Sequence, residues 1–325
     1  MLPSRIVPRF LCLLLFARIA AADPVAELAE FSAFPKVDLA DLARGKIVTA
    51  RSPAMSNPRH LSVQACYLVR ASVPKTVELL KHWNATEHPQ LKVHLQGMIS
   101  QKPAPDHFSR LTAAPAEFIE ASLAPKPGHF QIGAAETRKL TGAGEAPAAV
   151  AVWSQLLAQR ASSFVTGGLV RQPPYENEAV RVHEEAAAML REQPRMRARF
   201  ASISAATPLG GGGLTPTLYW DLFEVEGDPH VSLGALYGRA SNGGWQGVDI
   251  TYFASGGFFI HVSFHEFWPV EVDNAPATLV WRGDLLSSAS LASLRGIERS
   301  GAGTVMMRKI QKTAALFQKD AAATR

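Results

Sequence analysis

The last third of the chain is cut into short apolar runs, and each run ends at a turn-forming residue. TLYWDLFEVE stops at GDP, HVSLGALYG at SNGG, GVDITYF at ASGG, and FFIHVSFHEFWPVEV at DNAP before TLVWRG begins. Gly, Asn, Asp and Pro at these intervals leave no length for a crossover helix, so the five runs within 216–282 read as an antiparallel meander. Two more strands lie upstream. LSVQACYLVRA (61–71) is rich in β-branched and apolar residues, and in LKVHLQGMIS (91–100) Leu91, Val93 and Leu95 alternate with Lys92, His94 and Gln96. Between them PKTVELLKHWN carries a helix-starting proline and the stripe Val77, Leu80, Trp83. Residues 23–60 are a lead-in in which KIVTA reads as a short edge strand.

Residues 102–212 differ in character. They are Ala-rich with helical spacing, and Val150, Trp153, Leu156, Leu157 and Phe164 mark one face. LGGGGLTPT (209–217) closes this stretch as a connector. From about Ser290 to Asp320 a last helix places Met306, Ile310, Ala314 and Phe317 on one face, with GAG at 301–303 as a point of kinking or delay. The fold class is α+β: an antiparallel sheet of about seven strands, first part 61–101 and remainder 213–325, with a long C-terminal helix and a large helical insertion or subdomain at 102–212.

The N-terminus reads as a secretory signal. MLPSRIVPR is basic, FLCLLLFARIA is a short apolar core, and Ala20-Ala21-Ala22 precedes Asp23 as a cleavage site. A periplasmic or secreted protein with cleavage after Ala22 is expected. Loss of Arg5, Arg9 and Arg18 lowers the formal charge of +5 to +2. A near-neutral domain without a Lys/Arg block gives no argument for nucleic acid. No later run is long enough to cross a bilayer. Cys12 leaves with the signal, so Cys66 has no disulfide partner and reads as a buried small hydrophobe.

Two histidines four apart, His261 and His265, raise the question of a metal. On a helix they would converge. On a strand they share a face but stand about 13 Å apart at ~3.3 Å per residue, whereas zinc needs each nitrogen at ~2.0–2.1 Å. The aromatic and β-branched content of FFIHVSFHEFW makes it a strand, so no metal is assigned, and no cofactor either. Nucleophile-elbow and P-loop patterns are absent. Glu184-Glu185 and Asp221 with Glu224 are carboxylate pairs of a kind that any surface carries. Aromatic residues crowd the meander, which permits an aromatic-lined cavity.

The order strand–helix–strand–meander–helix resembles the START-like helix-grip superfamily of polyketide cyclases and lipid-transfer proteins. ACYLVRASVPKTVELLKHWN looks like its opening strand and helix, and ATLVWRGDLL with VMMRKIQKTAALFQ like its last strand and gripping helix. In that fold a seven-stranded antiparallel sheet wraps around the last helix; the 102–212 helices depart from it. The resemblance implies an apolar small molecule or lipid held between sheet and helix. Trp220, Tyr252 and Trp268 are the expected wall residues, with His261 and His265 as polar contacts. The alternative is a periplasmic hydrolase or cyclase-type enzyme with His261 or His265 as general base, oriented by Asp249 or Glu266. A third reading is a protein-interaction module using helices within 145–200. The leaning is towards a non-enzyme.

Overall fold

A computed structural model describes residues 23–126, 128–175, 180–241 and 243–323. The expected signal segment, with Cys12, lies outside the described residues. The strands are β1 (Val48–Arg51), β2 (His60–Val69), β3 (Val93–Ile99), β4 (Thr217–Val225), β5 (Asp228–Ser241), β6 (Gly244–Ala254), β7 (Ile260–Val272) and β8 (Ala275–Ser287). They form one antiparallel sheet in the order β1-β2-β8-β7-β6-β5-β4-β3. The eighth strand is β1, the KIVTA segment, added at the edge beside β2. The hairpins turn where the punctuation predicts. Asp273 and Asn274 (φ 52° and 57°) close β7–β8, and Glu226 and Gly227 (φ 55° and 101°) close β4–β5. These left-handed conformations match the twist of the flanking strands.

The helices are α1 (Pro24–Phe31), α2 (Leu39–Ala43), α3 (Val73–His82), α4 (Ala116–Leu123), α5 (Ala134–Thr141), α6 (Ala146–Gly167), α7 (Val182–Arg191), α8 (Pro194–Arg199), α9 (Ala201–Ala205), α10 (Ala289–Ser293) and α11 (Gly296–Ala323). The C-terminal helix is interrupted at Leu294–Arg295, before Gly296 (φ +48°), rather than at the GAG expected to kink it. The backbone stays helical through 301–303, where Gly303 packs closely against Arg51 of β1.

Strand alternation divides the sheet into two faces. The back face carries Cys66, Trp220, Val231, Ile250, Tyr252, Phe264 and Trp281, and joins α1 and residues 102–212 in one continuous apolar core. Helix α6 shows how the insertion is held. Phe164 stacks on Tyr252 at 3.8 Å and 4°, and Trp153 donates its indole N–H to Ser122 Oγ at 2.8 Å. Arg160 is buried, forked onto Glu136 at 2.9 and 2.7 Å, with its guanidinium 4.3 Å from the centre of the Phe253 ring. Helix α7 docks through His60 of β2, whose Nδ1 and Nε2 each lie 3.0 Å from a carboxylate, Glu192 and Glu185 respectively. Burial raises the Glu185 pKa, but hydrogen bonds from His60 and Ser287 and the charge of Arg59 pull it below its ordinary value. Glu185 is thus a buried structural carboxylate and not the surface residue read from the sequence.

The front face carries α3 and α11. Phe317 and Ala314 of α11 and Val77 of α3 pack with Tyr67, Trp245, Phe267 and Val280 at one end of the sheet. Gln311 Nε2 of α11 donates to Thr49 Oγ1 of β1 (3.1 Å), and Lys312 Nζ donates to the Gln90 carbonyl (2.8 Å) in the segment leading to β3. Asp320 accepts from Trp83 Nε1 (2.6 Å) and lies 2.8 Å from His88 Nε2. The front face is therefore framed by α11 along the β1–β2 edge, by α3 across β6–β8, and by residues 83–91.

A polar band on the front face of the sheet

Beyond the apolar end under α3, the front-face positions turn polar on four strands. β4 brings Tyr219 and Asp221, β6 brings Asp249 and Thr251, β7 brings His261, Ser263 and His265, and β8 brings Arg282 and Asp284. The registers Asp249↔Ser263, Ser263↔Asp284 and His265↔Arg282 put them side by side. Further along, Phe223 and Phe258 close the row with ring centroids 5.9 Å apart, and Phe258 lies 6.2 Å from His261.

Asp284 is the hub. It is fully buried, and it accepts from Arg282 Nη2 (2.7 Å, Oδ1), Arg282 Nε (2.9 Å, Oδ2) and Ser263 Oγ (2.7 Å). His261 Nε2 lies 2.9 Å from the same Oδ1. Burial would raise its pKa, yet Arg282 and His261 hold it far below the usual carboxylate range, and the guanidinium is correspondingly raised. Asp249 accepts from the Tyr219 hydroxyl at 2.8 Å. Tyr219 lies flat over β5 because residue 234 is glycine: a Cβ there would stand 2.1 Å from the ring.

Two polar atoms of this band have no partner although both are out of solvent contact: Asp221 Oδ1 and His265 Nδ1. Burial, then the neighbouring Asp249 charge, pushes the Asp221 carboxyl up to about 7. Burial, then Arg282, pushes His265 down to about 3, so that it is a neutral ring and a poor base. Deeply placed as it is, the band is not sealed. Tyr219, Asp221, Asp249, Thr251, His261 and Arg282 each keep part of their surface accessible, 23 % for the His261 side chain and 22 % for that of Arg282. These groups are thus largely buried yet still partly reached by solvent.

The five residues expected to form one ligand wall do not lie together. His261 and His265 are on the front face with α11. Trp220, Tyr252 and Trp268 are on the back face: Trp220 against Phe108, Tyr252 under Phe164, and Trp268 near Phe31 with its indole N–H directed at Glu27. The carboxylates expected to orient a histidine are also engaged elsewhere. Asp249 is paired with Tyr219, and Glu266 is on the back face, bound by Arg199 and Gln246. Asp284 occupies that role. Ser263, Arg282 and Asp284 carry no local signal in the sequence; Tyr219 reads there only as one aromatic of the meander, and Asp221, read as a surface carboxylate, has an Oδ1 out of solvent contact instead. The signal along β4 was the period-two alternation that puts Tyr219, Asp221 and Phe223 on one face.

Elsewhere, a hollow of about 590 Å³ lies between the start of α3, the β7–β8 hairpin and Ala321. Its charged lining residues, including Lys75 and Glu78, are surface residues. No group of three or more His, Cys, Asp or Glu among the described residues could hold a metal, and no described helix is long and apolar enough to cross a membrane. Within 145–200 the exposed large apolar side chains among the described residues are Val165 and Val170. Cys66 is buried, and burial pushes its thiol up to about 12. No family model, curated protein or solved structure matches the chain.

Proposed function

We propose that the protein binds a small amphipathic molecule in the front-face groove between the sheet and α11. The observation that carries this reading is the pair of unpartnered atoms, Asp221 Oδ1 and His265 Nδ1, in a polar band that solvent still reaches. Buried polar groups in folded proteins are almost always satisfied, so two orphans on one accessible face favour a bound partner. The apolar small molecule or lipid expected from the sequence is refined by this floor, whose centre is polar and whose ends are apolar. A ligand with a hydrogen-bonding group and a hydrocarbon portion fits it. The position of β2 beside β8, with α11 on that face, supports a relation to the START-like helix-grip superfamily. The basic and apolar N-terminal segment supports export to the periplasm or beyond. Native mass spectrometry of gently purified protein tests the binding. A co-purifying small mass, lost on organic denaturation and absent from Thr251→Trp, in which an indole fills the groove, supports it. A bare mass together with failure to bind added amphiphiles overturns it.

A second reading rests on one specific contact, His261 Nε2 at 2.9 Å from Asp284. A half-exposed imidazole oriented by a carboxylate is the arrangement of a general base, with its other nitrogen left to act. On this reading the groove converts what it binds, as a hydrolase or cyclase-type enzyme would. Conversion that disappears in His261→Gln while binding persists would distinguish it from binding alone.

A further inference from the structure

Resting on the groove reading above, we infer that the site selects an organic cation, an ammonium group set against Asp221 and Asp249 with its hydrocarbon on Phe223 and Phe258. The charges of the band argue for it. Three carboxylates, Asp221, Asp249 and Asp284, share this face with one guanidinium, and Arg282 is committed to Asp284 by a two-point contact. His261 is directed at the same carboxylate. Asp249 accepts from Tyr219, a neutral donor.

Asp221 Oδ1 accepts from nothing. The side chain opposite it on β3 is Gln96, whose amide is already engaged: its Oε1 accepts from Ala85 N at 3.0 Å and its Nε2 donates to the Trp83 carbonyl at 3.1 Å. A deep carboxylate without a donor is unfavourable, and a ligand ammonium would supply both the missing charge and the missing donor. The nearly sealed His265, 3 % exposed, carries on the same face a second polar atom, Nδ1, that no protein group satisfies. Half-buried Phe223, two residues from Asp221 along β4, and half-buried Phe258, with its ring centroid 5.9 Å from that of Phe223, are the surroundings that favour a cation over a neutral or anionic group. An anion would meet the aspartates with no free guanidinium in the band to receive it.

The test is calorimetric titration of the full chain with three probes of matched shape: 2-phenylethylammonium, 2-phenylethanol and 3-phenylpropanoate. The inference expects the cation to bind at least tenfold more tightly than the alcohol, a difference of about 1.4 kcal/mol, and the carboxylate to bind most weakly. Asp221→Asn should bring the cation to the level of the alcohol while leaving the alcohol unchanged. Equal affinity for cation and alcohol, or a cation preference that survives Asp221→Asn, overturns the inference, and the groove reading then stands if Thr251→Trp abolishes binding of both. If no probe binds, or all bind equally to wild type and Thr251→Trp, the inference and the groove reading fall together.

Discussion

Replacing Asp284 by Asn removes the charge at the hub of the band and little else. The substitution keeps the side chain's size and one acceptor. It leaves Arg282 with a carboxamide where two charged contacts at 2.7 and 2.9 Å had been. Breaking a buried ion pair from one side costs about 3–5 kcal/mol, because the remaining charge is uncompensated. The Arg282 side chain is 22 % exposed, so water reaches it in part and the lower end applies, about 3 kcal/mol at pH 7. Urea denaturation of wild type and Asp284→Asn measures this. The difference should also depend on pH in one direction. Asp284 is depressed in the folded state, so its contribution is complete above the unfolded-state value of about 3.9. It is lost as pH falls below that value towards the lower folded one. The gap between wild type and variant should therefore be flat from pH 8 to about 5 and narrow below about 4. A second variant, Arg282→Met with Asp284→Leu, removes both charges and should recover most of the loss, since apolar replacement of a buried pair is often near neutral. A single-variant loss under about 1 kcal/mol, or a double variant worse than the single, would refute the assignment of Arg282–Asp284 as a buried, mutually dependent pair.

Two further outcomes follow from the same geometry. Asp221 is raised to about 7, and the groups that face it are Asp249, Tyr219, Gln96 and Ser232. The ligand-free protein should lose stability as pH rises from about 4 to 7, because the unfolded chain releases this proton first. Asp221→Asn should lack that slope and exceed wild type at pH 8 by on the order of 1–3 kcal/mol, with the two converging near pH 4 in chemical denaturation. Phe164→Ala removes the ring stacked on Tyr252 and should cost about 3–5 kcal/mol; near- and far-UV signals should still move in one transition, since insertion and sheet share a core.

The sheet was legible because its turns are written in residues that tolerate positive φ, as at Asp273–Asn274 and Gly227, and because each strand has a period of two. The same alternation obscured the site. Along β4, β6, β7 and β8, a strand with one apolar and one polar face reads as half-buried with the polar half in water. The aromatic side therefore looked like the lining of a cavity. In the structure residues 102–212 cover that side, so Trp220, Tyr252 and Trp268 are core. On the polar side lie α3, over its apolar end, and α11, along the β1–β2 edge. Which face receives which helices depends on long-range packing, and no local pattern in Tyr219, Asp221 or Asp284 records it. The His261–His265 strand was read correctly as sharing one face. The carboxylate that meets His261 comes from β8, the neighbour in the sheet, at a separation of 23 residues.

The accessibility of the front face is the centre of this account, and thiol labelling measures it directly. Thr251→Cys places a thiol on the floor of the groove, while the native Cys66, buried on the opposite face with its thiol pushed up to about 12, serves as the internal control. With a small thiol reagent under native conditions and the label located by peptide mapping, Cys66 should stay unmodified. The thiol at 251 should react at a rate independent of global unfolding and be shielded by a bound amphiphile. Reaction at 251 as slow as at Cys66, with both following unfolding, would show the band to be a sealed polar core and contradict the groove.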